Sequence, residues 1–418
     1  MLGLILTVAS AQLVGDTVSL DVAVALQRGL EQSPVIVAAY SRAEAASGRA
    51  AQATSWRNPT LAVSAENVGQ QVEFTGREGL PGLEGQAIVR TELPLGSERS
   101  GAIRIARAEE RVAVADREAT ELRIRRSLMD AFGRFVRDQL YAETAAQELS
   151  TLTRITEALQ LQAELGRAAL GDAARADLAR GLAATRLGRR EAELGRGRAE
   201  LAVLLGYSPE TVVRLVVGRC ESLERESQRV DGFTAPSVRA AEAQVEAARG
   251  SVEVARGIRL PDVLPELGLR RSGGRTGLYL GVSTQLPFFD RGSRRIAAAH
   301  AEESAALAER TAAERAWASG RAGTLAALSA LERSGTSFDA TWFDSLEQTV
   351  VAAEARFEMG EGTLVELLDS RRARLQALDD YHAWLAEWWA ARVELSVLEG
   401  TPPSPELLCM DPFRELAR

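Results

Sequence analysis

Two histidines, His300 and His382, and two cysteines, Cys220 and Cys409, are the whole supply of imidazole and thiol in 418 residues. A zinc site draws on three or four such ligands at close spacing and an iron–sulfur cluster on four cysteines, so no resident metal centre and no cofactor are expected. No glycine-rich phosphate loop follows a strand, no G-x-S-x-G elbow occurs, and no carboxylate pair stands apart from those on solvated helix faces. The chain is therefore not expected to be an enzyme. Its remaining chemistry is charge: 50 basic and 58 acidic side chains give a net charge of −8, which argues against a nucleic-acid partner. Every basic residue is arginine, and alanine and arginine dominate throughout, a bias of composition rather than a sign of function.

An apolar content of 46% excludes a disordered chain, and no stretch reaches the 18 or so consecutive apolar residues of a membrane-spanning helix. Residues Leu2 to Val8 form a short apolar run followed by Ala9-Ser10-Ala11. This predicts an export signal over 1–11 with cleavage before Gln12, although no basic residue precedes the run.

The charged and turn-forming residues must be positioned by larger elements, and the sequence repeats itself. A shift of 193 aligns Thr91-x-Leu93-Pro94 with Thr284-x-Leu286-Pro287 and matches Ser100, Ile103, Glu109 and Glu110 to Ser293, Ile296, Glu302 and Glu303. A shift of 202 pairs Pro34, Gly48 and Pro59 with Pro236, Gly250 and Pro261, and one of 194 pairs Gly166, Glu200 and Gly206 with Gly360, Glu394 and Gly400. The chain reads as a tandem duplication: a first copy within 12–207, a linker over 208–232, a second copy over 233–401 and a tail over 402–418.

Two-residue alternation marks strands near 59–68 and 86–94 in the first copy and 263–270 and 277–287 in the second, one hairpin per copy. The first hairpin loop, near 69–85, is long and glycine-rich; the second, Ser272 to Thr276, is short. The remainder is helical. From about 97 to 165 there is no proline, and Leu128, Phe132 and Phe135, then Leu149, Leu152, Ile155 and Leu159, recur at three- and four-residue steps. A helix of that extent would reach about 100 Å, so it must be a coiled coil, with its partner over 167–205. The second copy predicts helices over 291–355 and 363–399. Trp384 and Trp388 fall on one face of the last helix and are expected to pack helix on helix.

Four strands of this length can cross a bilayer when tilted, but a membrane sheet must close on itself, and four strands cannot. Several identical chains sharing one barrel would satisfy the edges, with the helices forming a hollow cylinder beneath. The competing reading is a soluble periplasmic coiled-coil scaffold or adaptor whose hairpins form a small capping sheet.

Taken with the duplication, five segments give the chain its resemblance to the TolC family of outer-membrane efflux proteins. They are the junctions Leu93-Pro94-Leu95-Gly96 and Leu286-Pro287-Phe288-Phe289-Asp290, the run Arg356-Phe357-x-x-Gly360-x-x-Thr363-x-x-Glu366-x-x-Asp369, and the paired ends Glu200-Leu201-x-Val203-x-x-Gly206 and Glu394-Leu395-x-Val397-x-x-Gly400. The resemblance implies a mainly α fold with membrane β, in which tandem-duplicated antiparallel coiled coils and four transmembrane strands assemble as a homotrimer. Its twelve-stranded β-barrel would continue into an α-helical barrel, with a mixed equatorial region at the waist. It implies an outer-membrane exit duct of a tripartite efflux or type I secretion system in a Gram-negative bacterium, with a periplasmic adaptor and an inner-membrane pump of the resistance-nodulation-division class as partners. The segment Glu92 to Arg99 with Ala102-x-x-Ile105-Ala106 is more similar to the heavy-metal-cation branch.

By the same resemblance, Glu366 and Asp369, with Asp172 in the first copy, would narrow the periplasmic tip as a ring of carboxylates; the other first-copy counterpart is Arg175. Acids favoured at a helix N-terminus by its dipole are the alternative. The turns at Gly166-Arg167 and Gly360-Glu361 would dock the adaptor, their glycines needed for a close or left-handed backbone. Trp56 and Phe288-Phe289 stand where an aromatic girdle would meet lipid, and Cys220 and Cys409, near the waist, would form a disulfide in an oxidising periplasm.

Overall fold

The computed structural model describes residues 17–66, 84–167, 169–216, 233–257, 259–260, 262–272, 275–286 and 289–401. The described residues fall into two compact units, one drawn from 37–119 and 234–317, the other from 1–36, 120–233 and 318–418. The expected leader, the first hairpin loop, Pro287, Phe288, Cys220 and Cys409 lie outside the described residues.

In order, the elements are β1 (Thr17–Asp21), α1 (Val22–Glu31), α2 (Pro34–Thr54), β2 (Thr60–Glu66), β3 (Glu84–Arg90), α3 (Glu98–Glu164) and α4 (Leu170–Leu204). After β4 (Val212–Val216) the second copy runs α5 (Pro236–Gly257), β5 (Val263–Ser272), β6 (Arg275–Thr284), α6 (Ser293–Gly335), α7 (Ala340–Glu358) and α8 (Leu364–Leu398).

The first unit holds the antiparallel sheet β2-β3-β5-β6. Each copy supplies one hairpin, as the alternation predicts, and β3 pairs with β5 to join them. That pairing outruns β3: Leu93 N donates to Val263 O at 2.9 Å, Val263 N returns the bond at 3.1 Å, and the regular register carries side-chain alternation through to the helix junction. Below it α3 and α5 meet through glycines. A Cβ at Gly101 would lie 2.6 Å from Gly250 O, and one at Gly250 would lie 2.9 Å from Gly101 O, so the contact excludes any larger residue at either position.

The second unit holds the main core. Leu128, Met129, Phe132 and Phe135 of α3 pack with Leu194 and Leu201 of α4 and Trp388, Trp389 and Val393 of α8. Further along, Leu152 and Leu159 of α3 face Ala173, Ala176 and Ala183 of α4 with Leu364 and Leu368 of α8. Large side chains on one helix against alanine on the next allow close approach at alternating three- and four-residue steps, which is the coiled-coil pattern.

Two expectations need correction. The helix predicted over 291–355 is broken: α6 ends at Gly335 and α7 restarts at Ala340, where the Asp339 carboxylate accepts a bond from Trp342 N at 2.8 Å. Ser334 and Thr336 turn their hydroxyls onto Leu331 O and Arg333 O at that end, whereas the first copy has Tyr141 and Glu143 at the matching positions and stays helical. The second correction concerns 208–232. It contains strand β4, parallel to β1 in the register Thr17↔Val212 to Asp21↔Val216, so the segment is more than a linker.

Candidate functional site

Register makes the four-stranded sheet two-faced. Residues opposite one another across strands share a face, and the rows Leu61-Val89-Leu267-Leu280 and Val63-Ala87-Leu269-Leu278 are apolar from edge to edge. Leu61, Val63, Leu267, Leu269, Leu278, Leu280 and Val282 are all exposed, Leu280 and Val282 at 72%. A continuous apolar face on all four strands is far more than a water-facing surface tolerates, and each such side chain gains roughly 1.5–3 kcal/mol on leaving water. The opposite face carries Ser64, Gln86, Arg90, Glu266, Arg270, Tyr279 and Ser283. There Arg90 pairs with Glu266 at 2.7 Å and Ser272 donates to Glu84 at 3.0 Å. This is the alternation of a sheet with hydrocarbon on one side and water on the other.

The polar face leads into a charged junction. Glu92 pairs with Arg57, and Glu98 and Asp262 lie close enough to repel one another. Arg99 lies over the Trp56 ring at 4.3 Å and donates to Thr54 O at 2.5 Å; Phe289 is fully exposed.

In the other unit both predicted turns have left-handed glycines, Gly166 at φ 67° and Gly360 at φ 77°. Arg167 N closes onto Gln162 O at 2.8 Å and Glu361 N onto Arg356 O at 2.9 Å, the same helix-ending pattern in each copy. Arg167 and Glu361 are exposed. Thr363 caps α8 in a reciprocal box: its hydroxyl accepts from Glu366 N and the Glu366 carboxylate accepts from Thr363 N. Asp369, one turn on, pairs with Arg372 at 3.2 Å, and Asp172 in the first turn of α4 pairs with Arg175 at 3.4 Å. Glu366 and Asp369 thus share an exposed helix face; no hydrogen bond or ion pair among the described residues joins Asp172 to them.

Sequence reasoning missed two buried polar groups. Arg371 sits within the apolar run Leu364, Leu367, Leu368, Leu375 and bonds Glu148 of α3 at 3.0 Å and Glu354 of α7; a charge on an apolar stripe was its signal. His382 meets Tyr141 edge-on at 5.3 Å, and Arg190 of α4 covers the other partner of that contact, 4.0 Å from the Tyr141 ring. Burial, and secondarily Arg190, push His382 down to about 4. Trp389 Nε1 donates to Met129 O at 2.9 Å, and Trp384 Nε1 to Leu331 O at 3.0 Å, so both tryptophans fasten helix to helix.

Comparison with known proteins agrees with this geometry. The family described as "Outer membrane efflux protein" matches residues 234–401, the second copy. Nickel and cobalt resistance protein CnrC of Cupriavidus metallidurans is 30% identical over 301 residues, covering 68% of this chain and 67% of that protein. Protein CyaE of Bordetella pertussis is 28% identical over 421 residues, 91% of this chain and 85% of that one. The fold superimposes on the outer-membrane channel OprN with a TM-score of 0.76 at 22% identity, over 91% of this chain and 90% of the other. The chain belongs to the outer membrane efflux protein family, and its role is that of an exit duct in the outer membrane.

Proposed function

We propose that three copies of the chain close a twelve-stranded barrel and that their helices continue as a tunnel into the periplasm. The observation that carries this is the two-faced sheet: its apolar face is exposed on every strand, and β2 and β6 each have one unpaired edge among the described residues. Hydrocarbon leaves no backbone donor unsatisfied, so β2 of one copy pairs with β6 of the next. Trp56 and Phe289 then meet the lipid interface. Paired cysteines introduced on β2 and β6, with Cys220 and Cys409 replaced by serine, test it: oxidation should give covalent trimers, and cross-links confined to single chains would refute it.

The duct receives cargo from an inner-membrane pump of the resistance-nodulation-division class through a periplasmic adaptor. The adaptor docks on the turns at Gly166-Arg167 and Gly360-Glu361, supported by their shared left-handed geometry and exposure. Glu366, Asp369 and Asp172 form the constriction, an acidic ring whose like charges repel one another and attract cations. A cationic cargo is supported by the name of the relative CnrC, a nickel and cobalt resistance protein. Cys220 and Cys409 form a disulfide, which thiol labelling without reductant would show as two protected thiols.

A further inference from the structure

Within the second unit, α4 and α8 leave a trough over α3 with a volume of about 550 Å³, in the size range of small-molecule sites. Its floor is apolar: Leu152, Leu368 and Leu375 are buried there, and Leu182 stands exposed at the side. Its walls carry four guanidinium groups, Arg186, Arg189 and Arg190 from α4 and Arg372 from α8.

Three carboxylates also line it, and each is held. Glu148 is bonded by Arg371 at 3.0 Å; Arg190 holds both Glu193, at 3.0 Å, and Asp379, at 3.5 Å. Arg372 is paired with Asp369 at 3.2 Å. Arg186 and Arg189 remain: both are exposed, and among the described residues neither is in an ion pair, although Asp379 lies close enough to feel Arg186. The trough therefore joins an apolar floor to two uncommitted guanidiniums three residues apart on one helix. A guanidinium presents a planar fork that matches a carboxylate or sulfonate, and it is more weakly hydrated than an ammonium.

We propose that this trough binds amphipathic organic anions, the apolar part on the leucine floor and the acid group between Arg186 and Arg189. Such a station lies on the helical part of the chain, with Asp369 at its edge through the pair with Arg372, and none of Asp172, Glu366 and Asp369 lines it. A free inorganic anion would gain nothing from the leucines, and an apolar cation would meet two like charges.

The test uses the purified full chain in non-ionic detergent, with 2-naphthalenesulfonate as probe and 2-naphthylmethylammonium as its cationic counterpart, each followed by equilibrium dialysis. The sulfonate should bind saturably, the ammonium at least tenfold more weakly. The double variant R186A/R189A should weaken sulfonate binding tenfold or more, and R186Q and R189Q severalfold each. R180A/R196A, which removes exposed arginines of the same helix outside the trough, should leave it unchanged. All four targets are exposed and outside the core, so the melting midpoint should not move, and a preserved midpoint separates loss of binding from loss of fold. Equal binding of the two probes, equal binding by R186A/R189A, or sulfonate displaced fully by chloride at the same concentration would overturn the proposal.

Discussion

At the scale of single residues, the buried polar groups make the sharpest predictions. His382 titrates near 4 in the fold against an ordinary value of 6.5, so between those values the unfolded chain binds the extra proton. Its contribution is complete above pH 6.5 and disappears as pH falls to 4, a loss of up to about 3 kcal/mol. The groups around it are Tyr141 of α3, Arg190 of α4 and its neighbour Tyr381. The melting midpoint of the wild type should therefore fall more steeply between pH 6.5 and 4 than that of His382→Gln; parallel curves would show that His382 is not the titrating group. Arg371→Met should cost about 3 kcal/mol or more, because Glu148 is left buried without its cation, and adding Glu148→Gln should recover part of it. Neither group stood out from composition. Arg371 was legible only as a charge on a stripe of leucines, and His382 looked like any lone histidine, because burial depends on what α3 and α4 bring against it. The turn glycines were legible, since a helix that must reverse needs a left-handed residue, and the positive φ of Gly166 and Gly360 meets that need.

Elements were legible where one periodicity ran unopposed. The two hairpins and the helices α3, α4 and α8 follow from alternation and from three- and four-residue spacing within a few residues of their ends. The break after α6 was not, because it is marked only by local bonds, the Asp339 cap on Trp342 N and the Ser334 and Thr336 hydroxyls on their own helix, which hydrophobic spacing does not record. Strand β4 escaped because its partner β1 lies some 195 positions earlier in the chain. Gly133 of α3 lies against the Trp389 indole with no room for a Cβ, so Gly133→Val should displace that ring and lower the melting midpoint markedly, while Gly188→Ala, where a Cβ meets open space, should be neutral or slightly stabilising. On the sheet, Leu280→Arg should cost about 2–4 kcal/mol of membrane insertion near mid-depth, whereas Ser283→Arg on the polar face should insert normally. The heat-modifiable fraction of outer-membrane protein reads both, and equal loss in the two variants would contradict the assignment of faces.

For the whole molecule, the two halves with matching sequence segments supply elements in matching order. One hairpin from each half, joined by the β3–β5 pairing, makes the four-stranded sheet, and the matched family segment covers residues 234–401. Such a sheet cannot be finished by one chain in hydrocarbon. If the tips are docking turns, replacing Gly166 and Gly360 together with valine should abolish efflux in cells while leaving insertion intact; efflux that persists would remove the turns from the docking surface. Whether copies share one barrel is tested most directly by the mass of the mature protein extracted from the outer membrane, taken from sedimentation in detergent of known density. Three chains per particle are expected, stable until heated. A single chain per particle, or release of the protein from membranes by carbonate alone, would contradict it.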